Sequence, residues 1–257
     1  MNKSFWDHLE ELRGMLIRCA AAWLVCAVAA FCLRDVLFDV LFAPSTDGFV
    51  TYRLLHRLAR LTGCTAMAPP PMNIGFINIR LAAPFMMHIQ VSLIAGLLAA
   101  CPYILYRCYA FLAPALYLNE KRYARRLIYA GSLLFVTGVL LNYFVIFPFA
   151  FRMLAHYQVY ATVPNQISLD SYIYTLLILS LVLGVLFELP VVTWCLAKMG
   201  IVNAALLRRY RKHALVAILI LAAVITPTGD AITLLLVTLP LYLLYILSIA
   251  LIRNVRL

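Results

Sequence analysis

Residues Tyr172–Ala197 read YIYTLLILSLVLGVLFELPVVTWCLA, an apolar run with one carboxylate, Glu188, and no Lys, Arg or Asp. A helix of that length reaches about 39 Å at ~1.5 Å per residue, more than the ~30 Å hydrocarbon core of a bilayer. In lipid every backbone polar group needs a partner within the protein, so the run is expected to be helical and to span. An ionisable group at that depth costs at least ~2.5 kcal/mol, which makes Glu188 a candidate functional residue facing a cavity, a pathway or a partner. Pro190 lies two residues on. It has no N–H, so the carbonyl one turn back is released from the helical ladder.

The rest of the chain agrees with this run. It has 257 residues, 65% of them hydrophobic and 12% charged, with a mean hydropathy of +0.96. A soluble domain has about 45–50% apolar and ~25% charged residues, so the composition indicates an all-α integral membrane protein. The net charge of +11 then concerns topology, because Lys and Arg collect in cytoplasmic loops; no nucleic-acid partner is expected. The seven cysteines show no metal-ligand spacing and mostly fall in apolar stretches, where they act as small hydrophobes. Cys64 stands apart in a polar loop. No metal or cofactor is expected. Asp7, Glu10 and Glu11 precede the first apolar run, which argues against a cleavable signal peptide.

Six apolar segments are candidates to span, at about 15–33, 81–106, 127–151, 172–197, 214–226 and 232–252. The fifth is short: thirteen residues give about 20 Å, so the chain turns at Pro227 before crossing a full-thickness bilayer. Asp230 stands where the N-cap of the last helix belongs. An even number of spans puts both termini on one side. Fourteen Lys and Arg then fall on the side of the termini; Arg34, Arg53, Arg57, Arg60, Arg80 and Arg152 fall on the other. That asymmetry predicts cytoplasmic termini and one helical membrane domain over 1–257. The long external loop 34–80 contains a helical pattern, Tyr52–Leu61. Leu54, Leu55, Leu58 and Leu61 are apolar there and the arginines lie on another face, as in an interfacial or periplasmic amphipathic helix.

At the N-terminus, Ser4 with Asp7 matches a capping box and predicts a cytoplasmic helix running into the first span. His8, Glu11 and Leu12 share one face, and Glu10 can pair with Arg13. In the second cytoplasmic loop Asn119 could cap the third span, with Glu120 at its positive end. Glu120 is nonetheless a lone acid among Arg107, Lys121, Arg122, Arg125 and Arg126. Glu10, Glu11 and Glu120 near one face suit a cationic ligand, since a carboxylate pairs bidentately with arginine's planar fork. The five histidines form no HExxH, and neither GxSxG nor a phosphate-cradling glycine loop occurs, so no enzyme activity is expected. A proton-coupled solute transporter using Glu188 is the alternative; it predicts inverted repeats and further membrane-depth ionisable residues, and neither is seen.

Taken in order, His8-Leu9-Glu10-Glu11-Leu12-Arg13, Phe111-Leu112-Ala113-Pro114-Ala115-Leu116-Tyr117 with Glu120, Phe187-Glu188-Leu189-Pro190 and Ile225-Thr226-Pro227 resemble the TatC family. TatC is the multispanning receptor subunit of the twin-arginine protein translocase. Asn142-Tyr143-Phe144 through Phe147-Pro148, and Ala43-Pro44, are also similar to the family. The resemblance implies six transmembrane helices in a concave, glove-like bundle in the bacterial inner membrane. It implies signal-peptide recognition through Glu11 and Glu120, with His8, Leu12, Arg13 and Phe111 at other signal-site positions. It places Glu188, Thr226, Asp230, Tyr143 and Pro44 at polar or partner-facing positions. The implied partners are single-span TatA/TatB-type subunits, twin-arginine signal peptides of folded precursors, the lipid bilayer and further copies of the chain, with energy from the proton gradient.

Two features depart from the family pattern. A Ser/Thr-Gln pair often follows the aspartate, and here the residues are Thr233-Leu234; the 51–72 stretch resembles an insertion.

Overall fold

The computed structural model describes residues 5–62, 75–79, 81–112, 121–157, 166–226 and 230–253. Among the described residues five helical runs are long and apolar enough to cross a membrane: Leu9–Cys32, Ala83–Phe111, Tyr129–His156, Leu169–Lys198 and Ala231–Arg253. The expected fifth segment forms a separate helix, Arg211–Ile225, of 15 residues. At about 22 Å it falls short of the hydrocarbon thickness. The expected turn beyond it lies partly outside the described residues, at 227–229.

Helix α1 (Phe5–Cys32) joins the lead-in segment and the first span without a break. It starts at one end of the bundle, the near end. α2 (Arg34–Phe42), a 3₁₀ turn (Ala43–Ser45) and α3 (Val50–Thr62) follow at the far end. The segment expected as a loop from 34 is therefore largely helical up to residue 62, and its α2 has no separate span-like signal in the sequence. α4 (Ala83–Leu112) returns to the near end against α1. The two helices touch closely at Gly96, where a Cβ would lie 2.5 Å from the Ala27 backbone. Small residues at such crossings let helices approach where lipid supplies no hydrophobic drive. The Trp23 indole N–H donates to the Leu93 carbonyl at 2.8 Å across the same contact.

The third span is α5 (Lys121–Leu141), a π-helical turn (Asn142–Ile146) and α6 (Phe147–His156). Pro148 cannot donate to the Phe144 carbonyl, and the Thr51 hydroxyl of α3 donates to that carbonyl instead. Inside the bundle Asn142 is fully buried and donates to the Ser180 hydroxyl at 2.8 Å. A two-residue parallel pair, β1 (Phe76–Ile77) with β2 (Ile167–Ser168), ties the far-end loops together. Sequence periodicity gives no sign of it, since two residues cannot show a period. Tyr172 is the centre of an aromatic cluster with Phe42, Phe76, Phe147 and Phe151, and donates to the Leu41 carbonyl at 2.9 Å.

The fourth span breaks into α7 (Leu169–Leu186) and α8 (Leu189–Lys198). The break falls at Phe187–Glu188, where Pro190 leaves Leu186 without its helical donor. α9 (Ala204–Arg209) is capped by Asn203, which accepts from the Leu206 N–H at 2.7 Å. α10 (Arg211–Ile225) and α11 (Ala231–Arg253) complete the chain, with α11 packed on both α8 and α10. Their shared core is Ile218 and Ala222 with Val237, Leu241 and Leu244.

α3 docks through one side. Tyr52 and Ala59, two turns apart, are buried, while Leu54 and Leu61 of the leucine stripe are exposed. The Tyr52 hydroxyl lies 3.1 Å from the Pro44 carbonyl and 3.2 Å from that of Pro148. Arg152, 8% exposed, covers the Tyr52 ring at 4.0 Å and pairs with Asp47 at 2.7 Å. Burial pushes the Tyr52 hydroxyl well above its ordinary range, against the opposing charge of Arg152. The first part of the apparent insertion is thus fastened to the ends of the spans; residues 63–72 of it, with Cys64, lie outside the described residues.

Candidate functional site

At the near end, α1 and α4 line an open cavity of about 520 Å³. α1 supplies Glu10, Glu11, Gly14, Met15 and Arg18, which follow one helical face; α4 supplies Arg107, Ala110 and Phe111. The opening lies within the ~300–1,000 Å³ range of ligand sites. Gly14 leaves its floor clear, with no described residue within 4 Å of where a Cβ would stand. Two carboxylates, two guanidinium groups and an aromatic ring therefore share one recess. It can hold a chain segment that carries both cationic and apolar side chains.

The expected residues divide here. Glu11 and Phe111 line the cavity. Leu12 and Arg13 occupy neighbouring positions on the same helix, outside the lining. The side chain of His8 and the whole of Glu120 lie outside the described residues. The structure adds Arg18 and Arg107 to the lining; the signal for Arg18 was its place at i+7 from Glu11, in the first turn of the first span near its basic flank.

Glu188 belongs to a different place. Its side chain is 5% exposed and turns into the bundle, where the Tyr109 hydroxyl of α4 donates to Oε2 at 2.8 Å. Its Oε1 is buried and has no hydrogen-bond partner among the described residues. Gly131 of α5 makes the room: a Cβ there would lie 2.9 Å from Oε2. Tyr109, Val191 and Cys195 form the apolar wall beside it. Sequence reasoning did not find Tyr109 or Gly131, because their link to Glu188 spans three helices.

The remaining candidates make local bonds. Thr226 donates to the Ala222 carbonyl at 2.9 Å and ends α10. Asp230 Oδ2 accepts from the Thr233 N–H at 2.8 Å and caps α11, as its position implied. Tyr143 donates to the Val40 carbonyl at 2.6 Å, and Pro44 accepts from Tyr52.

Comparison with known proteins adds three findings. The family profile for Sec-independent protein translocase protein (TatC) matches residues 7–240. Curated proteins of that name are similar along nearly the whole chain. The one from Blattabacterium is 33% identical over 95% of this chain and 93% of its own length. That of Aquifex aeolicus is 32% identical over 95% and 92%, and that of Escherichia coli K12 is 32% identical over 93% and 83%. A crystal structure described as the twin arginine translocase receptor TatC superposes with a TM-score of 0.75 at 31% identity, covering 95% of this chain and 99% of that one.

Proposed function

The chain belongs to the TatC family of Sec-independent protein translocase proteins, a multispanning, non-enzymatic transport subunit, and we propose that its near-end cavity receives twin-arginine signal peptides. The single observation that carries this reading is the pair Glu10 and Glu11 facing Phe111 across one open recess. Carboxylates bind guanidinium groups by charge-assisted, bidentate hydrogen bonds, and the aromatic ring suits the apolar part of a signal. Glu11 and Glu120 are the arginine clamp in this reading, with His8, Leu12 and Arg13 around it.

The same reading has cytoplasmic termini in a bacterial inner membrane, six helices in a concave bundle acting as one domain, and assembly with TatA/TatB-type single-span subunits and further copies of the chain. The proton gradient drives export. Glu188, Thr226 and Asp230 serve assembly by holding the surface that a single-span helix meets, with Tyr143 and Pro44 holding the far end. For Glu188 this is support from within, since its carboxylate is turned to Tyr109.

The test is photo-cross-linking of a twin-arginine signal peptide to the reconstituted chain, with Glu11→Ala and Glu120→Ala as variants. Each is expected to lose the cross-link and the export of a folded reporter. Parent-like cross-linking and export by both variants would sink the assignment.

A further inference from the structure

α3 has two sides, and among the described residues one is buried against the bundle and the other is exposed. Tyr52 and Ala59 are buried, whereas Val50, Leu54 and Leu61 are exposed, Leu61 to 82%. At 100° per residue those three fall within a narrow stripe on the side opposite Tyr52 and Ala59. Arg53, Arg57 and Arg60 form a row beside the stripe, at i, i+4 and i+7, and all three are exposed. An exposed apolar stripe next to a row of arginines is the pattern of a helix lying in a membrane interface.

The depth of α3 agrees with that pattern. The third span leaves its basic flank at Arg126, and counting about 20 residues from Tyr129 crosses ~30 Å and ends near Pro148. Thr51 donates to the Phe144 carbonyl and Tyr52 to that of Pro148. Those two bonds fix the first turn of α3 at the edge of the hydrocarbon layer. Because Tyr52 and Ala59 are both buried, the helix lies along the body of the protein there and does not stand off into solvent.

We propose that α3 is a lipid-binding element on the far face of the protein. Val50, Leu54 and Leu61 enter the acyl region of the adjacent leaflet, and Arg53, Arg57 and Arg60 bind the phosphates of anionic phospholipids. Arginine matches phosphate oxygens with a planar fork, and its long stem lets the charge reach the headgroups while the helix stays shallow. The element fixes how deep the far end of the bundle sits. It acts independently of signal recognition at the near end.

The test places a tryptophan on the stripe, Leu61→Trp and separately Leu54→Trp, in the full chain reconstituted into phosphatidylcholine vesicles with or without phosphatidylglycerol. The readout is quenching by lipid brominated near the headgroup end of its acyl chain, beyond the signal of the native Trp6, Trp23 and Trp194. Both variants are expected to show the added quenching, severalfold stronger with phosphatidylglycerol. The combination Arg53→Gln, Arg57→Gln and Arg60→Gln is expected to abolish that lipid preference. Absence of added quenching in both vesicles, or equal quenching in the two, would overturn the proposal. Shielding of the tryptophan that arises only when single-span subunits are co-reconstituted would overturn it in favour of a protein partner.

Discussion

The hydroxyl of Tyr109 on α4 donates to the carboxylate of Glu188, at the break between α7 and α8, at 2.8 Å. One hydrogen bond thus joins a helix that lines the near-end cavity to the interruption in the fourth span. Gly131 of α5 closes the third side of this contact. Three helices depend on a volume that holds no spare methyl group.

Gly131→Ala should therefore displace Glu188 or Tyr109. Overpacking at such a site costs about 1–3 kcal/mol. Thermal unfolding in detergent is expected to shift down, and pairing the change with Tyr109→Phe should cost less than the sum of the two, because both act on one carboxylate. Strict additivity would mean that the two residues do not share it.

For Asp230 the expected role is separable by a conservative pair. Asp230→Ala removes the acceptor of the Thr233 N–H and should cost about 1 kcal/mol, while Asp230→Asn keeps an acceptor and should restore most of it. Unfolding of the two variants, read beside co-purification of a single-span subunit, distinguishes capping from direct contact. If Asp230→Asn is stable but no longer co-purifies the subunit, the charge itself meets the partner.

At the far end, Tyr52 is held neutral by burial. Its folded-state pKa lies above the unfolded value near ~10, so the folded state keeps a proton that the unfolded state sheds above that pH. Stability from this group is complete below about pH 10 and falls as the pH rises beyond it. Limited proteolysis around α3 is expected to accelerate there. Tyr52→Phe should remove this contribution to the pH response while costing about 1 kcal/mol at neutral pH, since the Pro44 and Pro148 carbonyls lose their donor.

Phe111→Ala opens the wall of the near-end cavity opposite Glu10 and Glu11. Loss of an aromatic anchor typically costs about 1 kcal/mol or more, so affinity for a twin-arginine signal peptide should fall by about five-fold or more. Cross-linking yield against peptide concentration reads this directly, and an unchanged curve would remove the ring from the site.

Much of this arrangement is legible in the chain. The long apolar helices follow from hydropathy, the short α10 from its length before Pro227, and the α11 cap from the place of Asp230 just before the last apolar run. What the sequence leaves open has a common physical origin. Apolar character does not separate the interior from the lipid-facing side, so the leucine stripe of α3 did not reveal that Tyr52 and Ala59 make the contact. Nor does it tell which way a span carboxylate points. Tyr109 is 79 positions from Glu188, and only the packing of α4, α5 and α8 brings them together. The cavity lining was readable at Glu11, which its charge marks, and at Phe111 through the family resemblance alone. It was not readable for Arg107, which resembles any other basic residue near a span end.

The π-helical turn at Asn142–Ile146 carries a consequence for how the third span is phased. A turn wound with one extra residue lags an α-helix by about 100°. Asn142, which opens the turn, and Phe147, Phe151 and Arg152 above it would not all face inward on one uninterrupted helix, yet all are buried. The turn acts as a fixed phase shift between two inward-facing stripes, one addressed to Ser180 and the other to Tyr172 and Tyr52. Deleting a single residue there would leave the span long enough to cross the membrane but would rotate α6, swinging the guanidinium of Arg152 away from Asp47 and toward the lipid.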